Sequence, residues 1–360
     1  MTQREAQILQ WIQENPMISQ QELAGKAGIT RSSAAVHISN LMKKGYIAGK
    51  GYIIRTAPYV VVVGAVNLDI GGTPFAPLVG RDSNPGRVRT SLGGVGRNIA
   101  HNMALLGLDV RFLTALGEDP SAQRITTSCI ELGIDLAPSL RVPGGATSTY
   151  LFLTDEGGDM ALAVSDMEIY RHLTPQYLAA KEPLLDNARL VVCDTNIPPE
   201  TLQWVAEHCK APVFVDPVST AKAGKVKPVL GKLHTLKPNR LEAELLSGVA
   251  ITDDRSLAAA ADALLATGLH RVFISLGGEG VYAADHLGGR RKVPCGPARM
   301  VNTTGCGDAF MAALAWGWLE GLGLEEAARA GLAASAIAME GEETINPALS
   351  IPALRARAGL

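Results

Sequence analysis

The chain has 360 residues, of which 47% are hydrophobic and 19% charged, a composition that predicts a folded globular protein and excludes an intrinsically disordered one. No uncharged run reaches transmembrane length, and the charged N-terminus, with Arg4 and Glu5, is unlike a signal peptide, so we expect no membrane partner. Five scattered cysteines without a Cys-x-x-Cys pair predict reduced thiols in a cytoplasmic protein, not a disulfide framework or a zinc site.

Charge is unevenly distributed along the chain. Residues 1–55 carry seven basic and three acidic side chains, a net charge of +4, so the overall net charge of −2 leaves −6 for the remainder. A small basic module joined to an acidic body indicates a nucleic-acid partner for the module. We therefore expect two domains, residues 1–56 and 57–360, joined at a Thr-Ala-Pro linker.

The N-terminal module has the pattern of a winged helix-turn-helix. Helical spacing and caps predict a first helix over 3–14, a second over 19–27 that opens with a capping box, and a third over 30–44. Residues 46–54 predict the two-stranded wing. The third helix would enter the major groove of duplex DNA and Lys50 would reach a phosphate, although a winged helix used only for dimer or domain contacts fits the same pattern.

Beyond the linker, strands and helices alternate. A β-branched run over 59–64 predicts a central parallel strand, and four more strands are predicted at 191–193, 213–216, 234–236 and 272–275, with helices between them. This alternation predicts a doubly wound α/β sheet.

Polar side chains follow these strands at their carboxyl ends, where open α/β sheets bind ligands. Asn67 and Asp69 come after the first strand, and a simple Asx-turn is the less favoured alternative for this pair. Asn196, Asp216 and Asn239 follow the next three strands. We therefore expect one continuous site along this edge of the sheet.

Two regions, about 67–92 and 146–165, each contain a pair of strand-like segments, and a hairpin turn joins the second pair. They predict a small β-sheet. A sheet of two to four strands with one apolar face is seldom stable alone. We therefore expect it to pack on the body or on a second subunit.

A glycine-rich turn near the C-terminus precedes a helix. We predict a strand ending near Val301 and a helix over 308–320, which places the Gly-Cys-Gly of 305–307 in the turn that opens the helix. Unpaired N–H groups at such a helix start bind anions, usually phosphate. Asp308 beside a phosphate would be explained by a general base that deprotonates an attacking hydroxyl, and an ordinary N-cap is the alternative.

Two motifs resemble the signatures of the ribokinase (PfkB) family of sugar and nucleoside kinases. The run 302–308 is similar to the family's Asp-Thr-x-Gly-Ala-Gly-Asp, and the run 93–100 matches Gly-Gly-x-x-x-Asn-x-Ala. The resemblance extends from about Tyr59 to the end of the chain. It implies a ribokinase-like doubly wound sheet with a small β-sheet lid, an ATP-dependent kinase without a P-loop motif, and a homodimer, as family members often form.

The resemblance also implies the catalytic group. Asp308 would be the general base, and the backbone N–H groups of Gly305, Cys306 and Gly307 would stabilise charge on the transferred phosphoryl group.

Substrate and cofactor residues follow from the same resemblance. The residues implied to bind substrate are Asn67, Asp69, Gly93, Gly94, Asn98, Thr149, Asp166 and Asn196. The residues implied to bind ATP are Lys237, Asn239, Gly277, Gly280, Thr304 and Asn346. Asn239 and Glu242 match the family's Asn-x-x-Glu, which orders Mg²⁺ largely through water, but the same pair can cap a helix.

Two positions depart from the family pattern. Asn302 replaces an Asp that in many relatives helps to bind a monovalent cation, which puts K⁺ activation in doubt. Cys306 replaces the usual Ala, and its backbone N–H group is retained.

Further runs resemble the pseudouridine kinases of the family; they are 83–86, 147–150, 214–219 and 234–244. They imply phosphorylation of the 5′-hydroxyl of pseudouridine, with ribose or another nucleoside as alternative substrates. A regulator of a different class, which binds DNA and uses a kinase-like body only to sense a sugar or nucleoside, also fits the winged helix. The intact Gly-x-Gly-Asp sequence favours retained catalysis.

Overall fold

The computed structural model describes residues 1–47, 49, 58–157 and 159–360. Within these residues the chain separates into two compact units, Met1–Pro58 and Tyr59–Leu360. No helix of the described chain has the length and apolar character that crossing a bilayer requires.

The first unit is built on three helices, α1 (Gln3–Glu14), α2 (Gln20–Ala27) and α3 (Arg31–Lys43). The predicted capping box opens α2. The hydroxyl of Ser19 accepts a hydrogen bond from the N–H of Glu22 at 3.2 Å, and the Glu22 carboxylate accepts one from the N–H of Ser19 at 2.8 Å. The apolar faces of the three helices enclose one small core.

Helix α3 is amphipathic, as its spacing predicts. It buries Ala34 and Ile38 and leaves Arg31 exposed. The predicted wing over 46–54, with Lys50, lies for the most part outside the described residues.

The second unit alternates strands and helices. Its strands are β1 (Tyr59–Val63), β2 (Asn67–Pro74), β3 (Gly86–Gly93), β4 (Asp109–Leu113), β5 (Ala115–Leu116), β6 (Leu140–Arg141), β7 (Thr149–Thr154), β8 (Met160–Asp166), β9 (Leu190–Asp194), β10 (Val213–Asp216), β11 (Thr235–Leu236), β12 (Arg271–Ser275), β13 (Val281–Asp285) and β14 (Arg290–Val293). Its helices are α4 (Val95–Leu105), α5 (Pro120–Glu131), α6 (Pro175–Ala179), α7 (Glu182–Asp186), α8 (Pro199–His208), α9 (Thr220–Ala223), α10 (Arg240–Ser247), α11 (Asp254–Leu265), α12 (Cys306–Leu319), α13 (Leu324–Met339) and α14 (Ile351–Ala358).

The central sheet of the described chain has eight strands in the order β14-β13-β12-β11-β10-β9-β1-β4. Its strands are parallel from β12 to β4, and β13 and β14 add an antiparallel edge. Along β1, Val60 and Val62 lie in the core on one face, and Tyr59, Val61 and Val63 lie in the core on the other. Burial on both faces explains the continuous β-branched run and confirms the predicted doubly wound fold.

Strands β3, β2, β7 and β8 pair in that order as a separate small sheet. The strand register places Leu151 and Val164 on one face, and Asp69 and Tyr150 on the other. On the first face, here called the outer face, Leu151, Leu162 and Val164 are 41%, 62% and 60% exposed. The predicted small β-sheet is therefore present, with an apolar outer face that the described chain leaves open.

Candidate active site

The glycine-rich turn opens α12, which begins at Cys306, earlier than predicted. Gly305 has a φ of 85°, and a Cβ atom there would overlap the carbonyl oxygen of Thr344, so only glycine fits this position. No strand of the described chain ends near Val301, contrary to expectation. Instead, the N–H of Val301 donates to the carbonyl of the last residue of α13 at 3.0 Å.

Asp308 is buried in the first turn of α12 and does not cap the helix, because Gly305 holds the N-cap position. Nδ2 of Asn98 donates a hydrogen bond to Oδ2 of Asp308 at 2.9 Å. Burial, and then repulsion by Asp216, raise the pKa of Asp308 to about 8, although Asn98 and Lys237 act in the opposite direction. A carboxyl group with a pKa near neutrality can exchange a proton with a substrate hydroxyl.

Lys237 places a buried positive charge beside the turn. Its Nζ lies 3.1 Å from Oδ2 of Asp216, and neither side chain is more than 8% exposed. Burial acts to lower the pKa of Lys237, but attraction and hydrogen bonding by Asp216, together with attraction by Glu242 and Asp308, raise the pKa overall, so the amine stays charged. A Cβ atom added to Gly307 would lie 3.2 Å from this Nζ. Lys237 therefore faces the N–H groups that are suited to a phosphoryl group.

Asn67, Asp69 and Gly93 come together at the end of the small sheet where β2 begins and β3 ends. The side-chain amide of Asn67 donates to Oδ1 of Asp69. A Cβ atom on Gly93 would overlap the Asp69 carboxylate, so glycine provides the space for it. Burial raises the pKa of Asp69 to about 6, against the lowering effects of Asn67 and Arg97. An ionised Asp69 offers acceptors suited to sugar hydroxyls.

Asn98, in the first turn of α4, has one free hydrogen-bonding group. Its Nδ2 binds Asp308, whereas its Oδ1 is buried with no partner among the described residues. Because an unpaired buried acceptor is costly, this atom marks a position for a ligand hydroxyl. Gly94 precedes the helix with a φ of 96°, and a Cβ atom there would lie 2.5 Å from the carbonyl oxygen of Ala65.

Thr149 and Asp166 do not join this group. They are paired across β7 and β8, and the register of the small sheet places both on the outer face, opposite to Asp69. Because side chains alternate between the faces of a strand, the neighbours Tyr150 and Ser165 lie on the Asp69 face. The alternation of side chains along the predicted strands could have identified Tyr150 and Ser165 as the residues that share a face with Asp69.

Asn196 follows β9 and contacts a lysine that the sequence patterns did not single out. Nζ of Lys222 donates to Oδ1 of Asn196. Nζ of Lys225 donates to the carbonyl oxygens of Thr195 and Ile197 at 2.8 and 2.9 Å. Burial lowers the pKa of both lysines. No motif surrounds these lysines, so only the fold reveals that they border the predicted site.

A cavity of about 540 Å³ borders the glycine-rich turn. The predicted residues that line it are Lys237, Gly277, Gly280, Cys306 and Gly307. Apolar and small side chains from the segment after β14 and from α13 form further walls; they are Cys295, Ala298, Met300, Leu332, Ala336 and Met339. The size and apolar lining suit a nucleotide base beside the phosphate-binding turn.

Asn239 and Glu242 are engaged with each other. The side chain of Asn239 accepts from the N–H of Glu242 at 2.9 Å, and the Glu242 carboxylate accepts from the N–H and from Nδ2 of Asn239, both at 2.9 Å. This is the capping box that the sequence left open as the alternative. Among the described residues, no three His, Cys, Asp or Glu side chains are grouped as metal ligands. The residues present fit an Mg²⁺ ion held mainly by phosphate and water, not a protein cage.

Among the other predicted residues, Asn302 and Asn346 are bound to local backbone, and Thr304 does not line the cavity. Asn302 donates from Nδ2 to the carbonyl of Glu342 at 3.1 Å and accepts at Oδ1 from the N–H of Thr304 at 2.9 Å. Asn346 donates to the carbonyl of Ile337 at 2.6 Å. Thr303, not Thr304, lines the cavity. Both side-chain groups of Asn302 are therefore already used.

Comparison with known proteins agrees with this geometry. Residues 57–351 match the family model described as pfkB family carbohydrate kinase, and residues 1–48 match the one described as winged helix-turn-helix DNA-binding. These matches confirm the sequence resemblance and account for both compact units.

Three similar proteins illustrate the relationship. The chain is 40% identical over 351 residues to the uncharacterized sugar kinase YeiI of Escherichia coli K12, and the matched region covers 97% of each protein. It is 42% identical over 299 residues to the pseudouridine kinase of the same strain, covering 83% of this chain and 96% of that protein. A crystal structure of a putative sugar kinase from Clostridium perfringens is 34% identical and superposes with a TM-score of 0.77, covering 85% of this chain and 96% of the other.

Proposed function

Because the chain belongs to the pfkB family of carbohydrate kinases, we propose that it transfers the γ-phosphoryl group of ATP to the 5′-hydroxyl of a ribosyl nucleoside, with pseudouridine preferred. The observation that carries this proposal is the position of Asp308. It is buried, bonded to Asn98 at 2.9 Å and next to the glycine-rich turn that borders the cavity. A base at that point can act on a hydroxyl held by Asn98 and Asp69.

In the proposed mechanism, Asp308 accepts the proton of the 5′-hydroxyl as that oxygen attacks the γ-phosphorus atom. The N–H groups of Gly305, Cys306 and Gly307 stabilise the charge on the transferred oxygens, and the Lys237 amine neutralises part of it. The base of ATP occupies the apolar part of the cavity. Mg²⁺, when bound, would be held by ATP oxygens and by water ordered at Asn239 and Glu242, and it would supply positive charge that offsets the charge of the phosphates. No K⁺ requirement is proposed, since Asn302 is bound to backbone on both sides.

Two observations support pseudouridine in particular. One is the 42% identity to the E. coli pseudouridine kinase over nearly the whole body of the protein. The other is the polar pair of Asn196 and Lys222, which offers hydrogen-bonding groups to a nucleobase at the carboxyl end of β9. Pseudouridine differs from uridine by a free N1–H donor, so a polar wall can distinguish the two bases.

A kinase screen tests this substrate. Pseudouridine, uridine, ribose and purine nucleosides are compared with ATP and Mg²⁺, and kcat/KM should be highest for pseudouridine. Loss of one buried hydrogen bond should cost uridine about 1–3 kcal/mol in transition-state binding. Equal kcat/KM for pseudouridine and uridine, or faster turnover of ribose, would exclude the preference. No turnover of any ribosyl compound would leave the DNA-binding regulator as the better description.

We further propose that the N-terminal unit binds duplex DNA. The match of residues 1–48 to a DNA-binding family model supports this, as does the exposure of Arg31 and Lys43 on α3. Both side chains are available to phosphates or base edges in the major groove. The five cysteines are free thiols, which favours a reducing compartment such as the cytoplasm.

The outer face of the small sheet supports a homodimer. Leu151, Leu162 and Val164 lie exposed on one face of a four-stranded sheet, which needs a partner surface to be stable. A second copy can cover it with the same apolar face. Val164→Glu should therefore convert the dimer to monomer in analytical ultracentrifugation. Leu287→Glu, which changes a leucine that is 80% exposed elsewhere, is the matched control.

A further inference from the structure

Arg97 is a buried cation to which the mechanism above gives no role. It lies on α4 beside Asn98 and is 6% exposed. One guanidinium nitrogen donates to the carbonyl oxygen of Leu92 in β3 at 3.0 Å, and another donates to Oγ of Ser128 on α5 at 3.1 Å. Nε is buried with no partner among the described residues. Burying a charged group with incomplete hydrogen bonding is costly, so its retention calls for a compensating interaction.

Asp69 compensates part of this charge, and the two side chains act on neighbouring residues at the end of β3. Arg97 holds the carbonyl of Leu92, and the Asp69 carboxylate packs against Gly93, the next residue. Their attraction acts in both directions. Burial lowers the pKa of Arg97, a change that Cys129 and Asp69 oppose. Burial raises the pKa of Asp69, a change that the Asn67 hydrogen bond and Arg97 oppose.

We propose that Arg97 is a positioning residue for the nucleoside, which fixes the end of β3 through Leu92 and supplies the positive charge that keeps Asp69 ionised. The inference rests on the proposed nucleoside kinase function and deepens it. An ionised carboxylate presents two acceptor oxygens to neighbouring ribose hydroxyls, whereas a protonated one turns an oxygen into a donor. Arg97 occupies a position that the Gly-Gly-x-x-x-Asn-x-Ala pattern leaves variable.

Two other titratable groups face Arg97, namely His101 on α4 and Cys129 on α5. Burial, with repulsion by Arg97, lowers the pKa of His101 to about 4. Burial raises the pKa of Cys129 to about 11, although Arg97 lowers it. Neither group changes its charge appreciably between about pH 5 and pH 7.5, so the titration of Asp69 dominates this window.

Calorimetric titration with pseudouridine, in the full-length protein carrying Asp308→Asn, tests the proposal. This background prevents turnover and removes the second carboxyl group of the site. Adding Arg97→Met should raise Kd about tenfold at neutral pH, and should move the pH below which binding weakens upward by about one unit. Arg97→Lys keeps the charge, so it should restore the pH dependence while binding stays about two- to threefold weaker. Ser128→Ala removes only the contact with α5 and should change Kd less than about twofold.

Three results would overturn the proposal. The first is an Arg97→Met variant with the Kd and pH dependence of its parent. The second is a Ser128→Ala variant that weakens binding as much as Arg97→Met, because Arg97 would then only hold α5. The third is an Arg97→Lys variant that folds but whose pH dependence of binding is shifted from that of the Asp308→Asn protein. This result decides the question if Arg97→Met fails to fold. Wild-type phosphorylation of pseudouridine is measured in parallel. Its absence would count against the proposed function, whereas normal turnover with any of the three results counts against Arg97 alone.

Discussion

The side-chain amide of Asn98 donates a 2.9 Å hydrogen bond to Oδ2 of Asp308 across 210 residues of sequence. This contact joins the first turn of α4 to the first turn of α12. The same amide keeps a buried, unpaired Oδ1 among the described residues. A substrate hydroxyl between the two side chains would therefore meet one acceptor that holds it and another that can remove its proton.

Asp308→Asn should lower kcat by about 10²–10⁴-fold, because asparagine can still accept a hydrogen bond from Asn98 but cannot take a proton. The Kd for the nucleoside should change little, since the loss falls on the chemical step. The melting temperature should rise, because the variant no longer buries a carboxyl group whose ionisation is disfavoured. Steady-state kinetics, calorimetry and thermal unfolding measure the three effects.

Asp69→Asn is the control for that variant. It should weaken nucleoside binding, because Asp69 is assigned to the ribose hydroxyls. The two variants together separate the base from the binding group. If Asp308→Asn kept more than about a tenth of wild-type kcat, Asp308 would not be the general base.

The pH dependence of catalysis should reflect the raised pKa of Asp308. Proton transfer to Asp308 requires the carboxylate, whose pKa in the free enzyme is about 8. The value of kcat/KM should therefore rise with pH up to about pH 8. Asp69, with a pKa of about 6, should add a steeper fall on the acid side. A profile measured at saturating ATP that is flat across this range would contradict the assignment of Asp308.

Gly305→Ala should be strongly damaging, because the residue has a φ of 85° and a Cβ atom would overlap the carbonyl of Thr344. We expect the free energy of unfolding to fall by about 1–3 kcal/mol. We also expect the affinity for ATP to fall strongly, since the turn that binds the phosphates must itself move. Gly224→Ala is the matched control, with nothing within 4 Å of the added atom. Urea unfolding and ATP titration of both variants check the prediction.

The N-terminal unit should bind duplex DNA in a salt-dependent manner. Deleting residues 1–56 should abolish a mobility shift of genomic fragments and leave phosphorylation near wild type. Arg31→Gln or Lys43→Gln, exposed on α3, should each reduce the slope of log affinity against log salt by about one. Arg4→Gln, on α1, is the control. No shift by the full-length protein at low salt would exclude the interaction.

Acid should destabilise the second unit through a row of histidines. The ring centroids of His234 and His270 lie 5.4 Å apart, and those of His270 and His286 lie 4.6 Å apart. The ring centroid of Trp318 lies 4.2 Å from that of His234. Burial, with repulsion by neighbouring cations, lowers the pKa of His234 to about 4. Because the unfolded state then binds the proton more tightly, stability should fall as pH drops from about 6.5 towards 4.

The measurement for the histidine row is the melting temperature at a series of pH values. His234→Gln removes the titrating group, so its melting temperature should depend less on pH than that of the wild type. His172→Gln, an exposed histidine outside the row, should leave the pH dependence unchanged. Equal pH dependence in all three proteins would show that the row does not control acid stability.

Local patterns predicted the elements that depend on local physics. Ser19 and Glu22 identify a helix start because both hydrogen bonds form within four residues. The β-branched run of β1 predicts burial on both faces, and the glycines before Asp308 predict the turn. In each of these cases the residues that determine the structure are neighbours in sequence.

The parts of the site that the sequence did not reveal depend on tertiary contacts. Lys222 reaches Asn196 from a short helix without a motif, and the apolar wall of the cavity combines a loop with α13. Thr149 and Asp166 were assigned by resemblance, but strand register decides which face a side chain occupies. Asn239 and Glu242 form a helix cap through their mutual hydrogen bonds, and their role in ordering Mg²⁺ through water stays a proposal.

Because side chains alternate between the two faces of the small sheet, substitutions and insertions in its strands have different consequences. Residues such as Leu151 and Val164 point away from the residues beside them in sequence, such as Tyr150 and Ser165, which share a face with Asp69. A point substitution on the outer face can therefore leave the residues on the Asp69 face undisturbed. A single-residue insertion in β7 would exchange the two sets at once. Among homologues, we therefore expect the outer face to exchange one apolar side chain for another, and the strands to resist changes in length.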